Sequence, residues 1–334
     1  RIAVVGTTSW GTTLSILLGK QGFAVTLLAH SRKEAVTLTQ AREHVERVPG
    51  IPFPKELVVT DDPSVALVNA DLVIFAVPSQ TLSSNVVWVR DYISRKAVLV
   101  SAAKGLEERT GRRMSEVLQE VLPRIFRRRI SVLTGPNLSR EIASGKPASA
   151  VVAGQDPEVT RFVQECLMSP YFRIYTTPDV IGAELGGALK NIIALGTGIC
   201  DGLGYGDNAK AAFITRGLAE ITRLGVAAKA DPLTFAGLAG LGDLIATCAS
   251  PYSRNRYVGE QLASGHTLKE ILVGMREVAE GVHTTEAALV LAHRLRVEMP
   301  ITDALARVLF HGLTVNQAIT ELLGRAPRPE QNEF

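Results

Sequence analysis

The sequence predicts an α/β domain built on a doubly wound sheet, followed by a mostly α-helical domain. In the first half, apolar runs rich in β-branched residues alternate with helix-like segments. Strands of this kind are buried on both faces, so they indicate a parallel sheet covered by helices. The main strands are predicted at residues 2–5, 24–28, 72–77, 97–101 and 130–133. Two shorter runs, at 148–153 and 172–175, should extend the same sheet.

The pattern of apolar residues changes near residue 178, from strand-like runs to helical periodicity. From Asp179 onward, helical periodicity dominates and Ala, Leu and Gly are dense. With 334 residues, 46% of them apolar, the chain is long enough to bury two cores. We therefore expect a dinucleotide-binding domain over residues 1–177, a helical substrate domain over 178–326, and a frayed tail over 327–334.

Composition excludes several classes of protein. The net charge of +3 comes from 36 basic and 33 acidic residues spread along the chain, which argues against a nucleic-acid binder. Three widely spaced cysteines give neither a disulfide framework nor a zinc site, and they favour a reducing, cytoplasmic compartment. No apolar window is long enough to span a bilayer, so we expect no integral membrane association.

The segment GTTSWG, residues 6–11, lies between the first strand and an apolar helix, where a dinucleotide fingerprint G-x-G-x-x-G belongs. Gly6 suits the tight turn and Gly11 suits close helix–sheet packing. Thr8 stands where the second glycine normally lets the pyrophosphate approach, so we expect it to weaken dinucleotide binding. Taken alone, this motif fits an ordinary strand–turn–helix equally well.

Lys104 follows an apolar strand directly and is itself followed by Gly105. The carboxyl ends of parallel strands form the ligand-binding edge of an open α/β sheet. A lysine after a strand is commonly just solvated, but this apolar run delivers Lys104 to that edge. The position favours a functional role for Lys104.

Several blocks of the chain resemble the bacterial-type NAD(P)-dependent glycerol-3-phosphate dehydrogenase family. The resemblance covers nearly the whole length, from Gly6 to about Arg325. Its most specific blocks are LGGALKN at 185–191, ITRGLAEITRLG at 214–225, GLAGLGDLIATC at 237–248 and SRNR at 253–256.

This resemblance implies a Rossmann-like domain, a helical substrate domain, a cleft between them and a homodimer. It also implies hydride transfer between sn-glycerol 3-phosphate and dihydroxyacetone phosphate, with NAD or NADP as cofactor and Lys190 as proton acceptor. The implied substrate contacts are Lys104, Gly135, Asn137, Lys190, Asp243, Ser253, Arg254 and Asn255. The implied cofactor contacts are Ser9, Trp10, His30, Lys104, Ser139, Arg254, Val278 and Glu280.

Three positions depart from the family pattern. Asn137 stands where a small hydroxylated residue is usual, Ser139 stands where alanine is usual, and His30 stands where arginine is common. Next to His30, Ser31 and Arg32 could hold the 2′-phosphate of NADP, and no Asp or Glu follows the second strand directly. We therefore expect NADPH to bind at least as well as NADH, unless Arg32 simply faces solvent.

Oxidation of a secondary alcohol requires a base beside the hydroxyl and a cation that stabilises the developing alkoxide. Lys190 lies in the apolar helical segment 185–195, where desolvation would favour its neutral form. Lys104 could remain charged and polarise the oxygen. From the residues alone, a lysine that snorkels to solvent at a helix edge is an equal alternative for Lys190.

Two further motifs complete the predicted site. Asp243 and Thr247 would share a helix face, where Asp243 orients a lysine, although a helix N-cap is the alternative for Asp243. The run Ser253-Arg254-Asn255-Arg256 would bind the substrate phosphate if it opens a helix, and would otherwise be a solvated basic loop.

The expected reaction needs no metal, and its product would supply phospholipid synthesis. Two alternatives stay open from the sequence. The first is a related dehydrogenase that acts on another hydroxy acid or sugar phosphate. The second is a catalytically weak dinucleotide-binding regulatory protein, which the Thr7-Thr8 pair in the phosphate loop suggests.

Overall fold

The structure, a computed structural model, describes residues 1–275, 279–327 and 329–330. The chain divides into two compact units. The α/β unit comprises Arg1–Ala103 and Met114–Val180, and the helical unit comprises Lys104–Arg113 and the chain from Ile181 onward. Val278 and most of the predicted tail, residues 328 and 331–334, lie outside the described residues.

The helical unit takes in one segment that we had expected to belong to the first domain. In Lys104–Arg113, Leu106 is fully buried in the core of the helical unit. Nη1 of Arg113 donates to the buried Glu184 carboxylate at 2.7 Å. The contiguous first domain predicted over residues 1–177 is therefore interrupted, because both apolar burial and an ion pair hold this loop to the helices.

The α/β unit contains an eight-stranded sheet of order β3-β2-β1-β4-β5-β6-β7-β8. The strands are β1 Ile2–Val5, β2 Val25–Leu28, β3 Leu57–Thr60, β4 Leu72–Phe75, β5 Val98–Ser101, β6 Ile130–Thr134, β7 Ala148–Gly154 and β8 Phe172–Thr177. The helices are α1 Ser9–Lys20, α2 Arg32–Ala41, α3 Pro63–Leu67, α4 Leu82–Val89, α5 Met114–Val121, α6 Ser139–Ala143 and α7 Pro157–Leu167.

The predicted doubly wound sheet is confirmed, with two corrections. All neighbouring strands are parallel except β6 and β7, which pair antiparallel from Ser131↔Gly154 to Thr134↔Val151. The edge strand β3 was not predicted. Its apolar run, Leu57–Val59, is only three residues long, and Val58 is 55% exposed, so β3 is not covered on both faces as the inner strands are.

Two apolar cores cover the two faces of this sheet. Along β1, Ile2 and Val4 join one core while Ala3 and Val5 join the other. Successive side chains of a strand point to opposite faces, which explains this alternation. The core that contains Ile2 and Val4 also contains Leu14 of α1 and Leu38 of α2.

The helical unit packs around α8, Val180–Gly202. The other helices are α9 Gly206–Ala227, α10 Pro232–Ala236, α11 Asp243–Ala249, α12 Arg254–Ala263, α13 Leu268–Val273, α14 Glu280–Leu295, α15 Pro300–Phe310 and α16 Val315–Leu323. A short π-helical segment, Leu238–Gly242, precedes α11. The prediction of a mostly helical second domain is confirmed for the described part of the chain. No helix there is long and apolar enough to cross a membrane.

Glycines allow the backbones of α8 and α12 to touch. A Cβ at Gly259 would lie 1.9 Å from the Leu195 carbonyl oxygen, and one at Gly198 would lie 1.9 Å from that of Arg256. No side chain fits between these helices at either point. The contact fixes α12, and the residues at its start, against the central helix.

We predict that Gly259→Ala destabilises the helical unit by about 1–3 kcal/mol, because the added methyl group must push two backbones apart. Urea denaturation followed by far-ultraviolet circular dichroism measures this loss. Gly274→Ala is the matched control, since its Cβ would meet only the Ile271 carbonyl oxygen, at 3.6 Å. Equal stability of the two variants would contradict the close contact.

Candidate active site

A buried carboxylate, Asp243, lies between two lysine ammonium groups of the helical unit. Its Oδ1 accepts a hydrogen bond from Nζ of Lys190, and its Oδ2 accepts one from Nζ of Lys104 at 2.7 Å. The Lys190 and Asp243 side chains are 8% and 1% exposed, whereas Lys104 is 18% exposed. Because an unpaired buried charge is costly, the lysines and the carboxylate stabilise one another. Asp243 thus gathers two amino groups at one point.

The start of α11 explains this geometry. The Thr247 hydroxyl donates to the Asp243 carbonyl oxygen at 2.7 Å and accepts from Nζ of Lys190 at 2.7 Å. The shared helix face predicted for Asp243 and Thr247 is confirmed. The N-cap residue is Gly242, so the alternative that Asp243 caps the helix is wrong. Its side chain binds lysines instead.

Close packing brings Lys190 to this carboxylate. A Cβ at Gly186, one turn before Lys190, would lie only 2.5 Å from the Ala239 carbonyl oxygen in the π-helical segment. The absence of a side chain at Gly186 thus lets this segment approach α8 closely. Lys190 therefore points into a packed interior, and the alternative of a snorkelling surface lysine is wrong.

Burial lowers the pKa of Lys190 from its ordinary value of 10.5 to about 8. Desolvation disfavours the ammonium form and is the largest cause. The Asp243 carboxylate opposes this shift, whereas the charge of Lys104 adds to it. Near pH 8 the Lys190 amine is therefore about half neutral and can accept a proton.

The SRNR run opens α12, which is the condition that the sequence analysis set for phosphate binding there. The Ser253 hydroxyl accepts a hydrogen bond from the Arg256 N–H at 3.3 Å and caps the helix. Arg256 forms ion pairs with Asp201 at 2.5 Å and with Glu260 at 2.8 Å. Its positive charge is therefore balanced by carboxylates of the protein itself. Arg254, the first residue of the helix, is exposed.

Asn255 connects three helices through its side chain. It is 7% exposed, its Nδ2 donates to Asn191 Oδ1 at 3.0 Å, and its Oδ1 accepts the Gly281 N–H at 2.9 Å. Within the described part of the chain, these contacts use one of the two N–H groups of the Asn255 amide. The predicted cofactor contact Glu280 is the first residue of α14, directly before Gly281.

The phosphate loop of the α/β unit keeps the geometry of a dinucleotide turn. Gly6 has φ +105°, and a Cβ there would lie 2.8 Å from the Ala76 carbonyl oxygen. A Cβ at Gly11 would lie 2.1 Å from the Gly6 carbonyl oxygen. The Thr8 hydroxyl accepts the Gly11 N–H at 3.1 Å and donates to the Ala76 carbonyl oxygen at 2.7 Å. Thr8 therefore closes the loop and caps α1, a role that the steric argument from sequence had left out.

Two predicted contacts in this unit carry buried polar atoms without a hydrogen-bond partner among the described residues. These are Nε1 of Trp10 and both amide atoms of Asn137. Buried polar groups are nearly always hydrogen-bonded, so such atoms indicate a place for a ligand. Trp10 follows Ser9 at the start of α1. The carbonyl oxygen of Ser139 accepts from Thr13 at 3.3 Å, which ties α6 to the same helix.

The end of β2 differs from the sequence-based expectation. His30 and Arg32 are exposed, and the Ser31 hydroxyl is engaged as the N-cap of α2, where it accepts the Glu34 N–H at 3.3 Å. The Glu34 carboxylate turns back and accepts the His30 N–H at 3.3 Å. Sequence reasoning missed Glu34 because it lies within a helix rather than directly after the strand.

Comparisons with known proteins show the family to which the chain belongs. Two family models match, described as the N-terminus of NAD-dependent glycerol-3-phosphate dehydrogenase over residues 1–160 and its C-terminus over residues 179–320. The chain belongs to this family. The curated relatives include proteins named glycerol-3-phosphate dehydrogenase [NAD(P)+] from Chlorobium phaeobacteroides and Streptomyces avermitilis. They are 44% and 47% identical over 99% of this chain, and the matches cover 99% and 98% of their own lengths.

A solved member of the family has the same fold. The crystal structure of glycerol-3-phosphate dehydrogenase from Coxiella burnetii matches with a TM-score of 0.91 and 34% identity, over 97% of this chain and 98% of that chain. The resemblance stated from the sequence motifs is thereby confirmed.

The predicted residues fall into both units. Lys104, Lys190, Asp243 and Thr247 contact one another in the helical unit, which also holds Ser253, Arg254, Asn255 and Glu280. The α/β unit holds Gly6, Ser9, Trp10, Gly11, His30, Arg32, Gly135, Asn137 and Ser139. Sequence reasoning also missed Asn191, whose signal was its position directly after Lys190 in the buried stretch Gly182–Ile199 of α8.

We predict that Asp243→Asn lowers the pKa of Lys190 below about 8, because the carboxylate that stabilises its ammonium form is lost. Nitrogen-15 NMR of labelled lysine amino groups follows this titration. Asp303→Asn removes an exposed carboxylate and is the control, which should leave the Lys190 titration unchanged. A raised or unaltered pKa in Asp243→Asn would contradict the proposed electrostatics.

Proposed function

We propose that this chain interconverts sn-glycerol 3-phosphate and dihydroxyacetone phosphate with NAD(H) or NADP(H), and that Lys190 is the proton acceptor. The names of its full-length relatives supply the reaction. The observation that carries the assignment of Lys190 is a buried amine with a pKa of about 8, held against Asp243 and Thr247.

The chemistry follows from the needs of alcohol oxidation. The C2–H bond of glycerol 3-phosphate breaks and its electron pair leaves as hydride, while the hydroxyl proton passes to Nζ of neutral Lys190. The nicotinamide dinucleotide, when bound, accepts the hydride. In the reverse direction, the Lys190 ammonium returns its proton to the carbonyl oxygen. A base whose pKa is near the working pH suits both directions.

Asp243 positions the two lysine amino groups, and Lys104 stabilises negative charge on the substrate. Asp243 fixes the positions of both amino groups through its two oxygens. The Lys104 side chain is more exposed than that of Lys190, so its ammonium group can contact the substrate oxygen and stabilise developing negative charge. Thr247 restrains Lys190 through a second hydrogen bond.

The start of α12 is proposed to bind the substrate phosphate. A helix N-terminus presents unpaired N–H groups and a positive dipole end, and α12 begins with the exposed guanidinium of Arg254. Ser253 and Asn255 flank it, and the remaining N–H of the Asn255 amide is available to the ligand. Gly135 and the Asn137 amide, which has no hydrogen-bond partner among the described residues, are proposed as further substrate contacts.

The dinucleotide is assigned to the α/β unit. Its phosphates would lie at the start of α1, against the turn of Gly6 and Gly11, with Ser9 and Trp10 in the first turn. The buried indole N–H of Trp10, for which the described part of the chain offers no acceptor, supports this placement. Further proposed contacts, carried over from the family, are His30, Lys104, Ser139, Arg254, Val278 and Glu280. Arg32 is proposed from its place after the second strand.

The cellular setting is proposed from the cysteines and from the family resemblance. Three free cysteines support a cytoplasmic location. The family resemblance supports a homodimer, and it supports a net reduction of dihydroxyacetone phosphate that supplies glycerol 3-phosphate for phospholipid synthesis.

The decisive test measures oxidation of NADH and NADPH that depends on dihydroxyacetone phosphate. Lys190→Met should lower kcat by about two to four orders of magnitude, because a positioned acid–base group is lost while side-chain volume is kept. Lys269→Met, at an exposed lysine of α13, is the control. In the wild type, kcat for oxidation of glycerol 3-phosphate should rise with pH through about 8, whereas kcat for reduction should fall over the same range.

A Lys190→Met variant that kept more than about a tenth of wild-type kcat would exclude Lys190 as the proton acceptor. Turnover of an unphosphorylated hydroxy acid in preference to glycerol 3-phosphate would instead favour a related dehydrogenase and overturn the proposed substrate.

Arg254→Met should raise KM for glycerol 3-phosphate by about tenfold to a hundredfold. A charge-assisted hydrogen bond to phosphate contributes about 1.5–3 kcal/mol. Arg161→Met removes an exposed arginine of α7 and should leave KM unchanged. An equal loss of kcat/KM toward glycerol 3-phosphate and glycerol would show that Arg254 does not bind the phosphate.

A further inference from the structure

We propose that Glu34 makes this enzyme prefer NADH over NADPH, because Thr7 and the end of β2 hold its carboxylate beside the dinucleotide loop. Oε1 of Glu34 accepts the Thr7 hydroxyl at 2.5 Å, and Oε2 accepts the His30 N–H at 3.3 Å. The inference rests on the proposed binding of the dinucleotide to the α/β unit and names the group that distinguishes its two forms.

The position of Glu34 suits the ribose of an adenosine. In doubly wound dinucleotide domains, an acidic side chain near the end of the second strand accepts a hydrogen bond from the ribose 2′-hydroxyl. Here that strand is β2, and Glu34 lies in the first turn of α2, which follows it. Its carboxylate nevertheless returns to the strand end, since it bonds the backbone of His30.

Thr7, which donates to the Glu34 carboxylate, is itself held in place. Thr7 is 8% exposed, and its carbonyl oxygen lies 3.1 Å from Nε2 of the buried His44. Burial lowers the pKa of His44, which keeps this imidazole neutral at physiological pH. The Thr7 hydroxyl gives Glu34 a hydrogen-bond donor that a glycine or alanine at this position would lack.

A fixed carboxylate treats the two cofactors differently. The 2′-hydroxyl of NADH can donate a hydrogen bond to it, whereas the 2′-phosphate of NADPH adds about two negative charges and only acceptor oxygens. Arg32 and Lys33, both exposed, are the cations beside Glu34 on α2. An exposed ion pair is screened by solvent and must order a long side chain, so Arg32 offsets this repulsion only in part. The earlier expectation that NADPH binds at least as well as NADH is therefore replaced.

Fluorescence titration of the free enzyme with NADH and NADPH tests the proposal without turnover. The wild type should bind NADH more tightly, and Glu34→Gln should shift the NADPH-to-NADH affinity ratio toward NADPH by about tenfold or more, since it removes the charge and keeps the acceptor for Thr7. Glu43→Gln is the matched control, because Glu43 is a half-buried carboxylate that accepts the Gly50 N–H at 2.6 Å.

Thr7→Val serves as an independent variant, because it keeps the shape of Thr7 and frees Glu34 from its strongest contact. It should shift the affinity ratio in the same direction by a smaller factor, and it decides the question if Glu34→Gln does not fold. An unchanged ratio in a folded variant that still binds NADH, or a wild type that binds NADPH as tightly as NADH, would overturn the proposal. If the wild type bound neither NADH nor NADPH, the proposed dinucleotide site itself would be contradicted.

Discussion

The buried carboxylate of Asp243 is the constraint on which the lysine cluster of the helical unit depends. An ionised group that is 1% exposed requires partners, and Lys104 and Lys190 supply them from two distant parts of the chain. The ion pair between Lys104 and Asp243 also determines where one loop of the chain lies. The loop Lys104–Arg113 stays with the helical unit although it follows a strand of the sheet, and Arg113 secures its other end through Glu184.

The same cluster carries a conflict between stability and chemistry. Two ammonium groups share one carboxylate, and deep burial makes the charged form of Lys190 unfavourable. A well-packed apolar triplet would be easier to bury. Retaining the cluster gives the protein an amine that changes its protonation near neutral pH, which ordinary exposed lysines do not provide. Functional sites are where such perturbed groups are expected.

Close backbone contacts are the second device that positions the site. Small residues at Gly186, Gly198 and Gly259 let neighbouring segments approach α8 within distances that any Cβ would block. The helices that meet there hold Lys190, Asp243 and the SRN run, so steric fit sets the site's geometry and hydrogen bonds refine it. In the α/β unit, Gly6 and Gly11 play the equivalent part in the phosphate loop.

The sequence by itself determined the fold class, seven of the eight strands, the helical second unit and the family. These rest on periodicity and on ordered motifs, which are local properties of the chain. Tertiary structure decided what local patterns leave open. It reversed β7 against β6, moved Lys104–Arg113 to the helical unit, and made Asp243 a partner of lysines rather than a helix cap. It also brought Glu34 back to the end of β2. Each of these outcomes depends on which groups, distant in sequence, are buried next to one another. Buried polar and charged groups interact strongly and require partners, and a short segment of sequence does not show which partners they will meet.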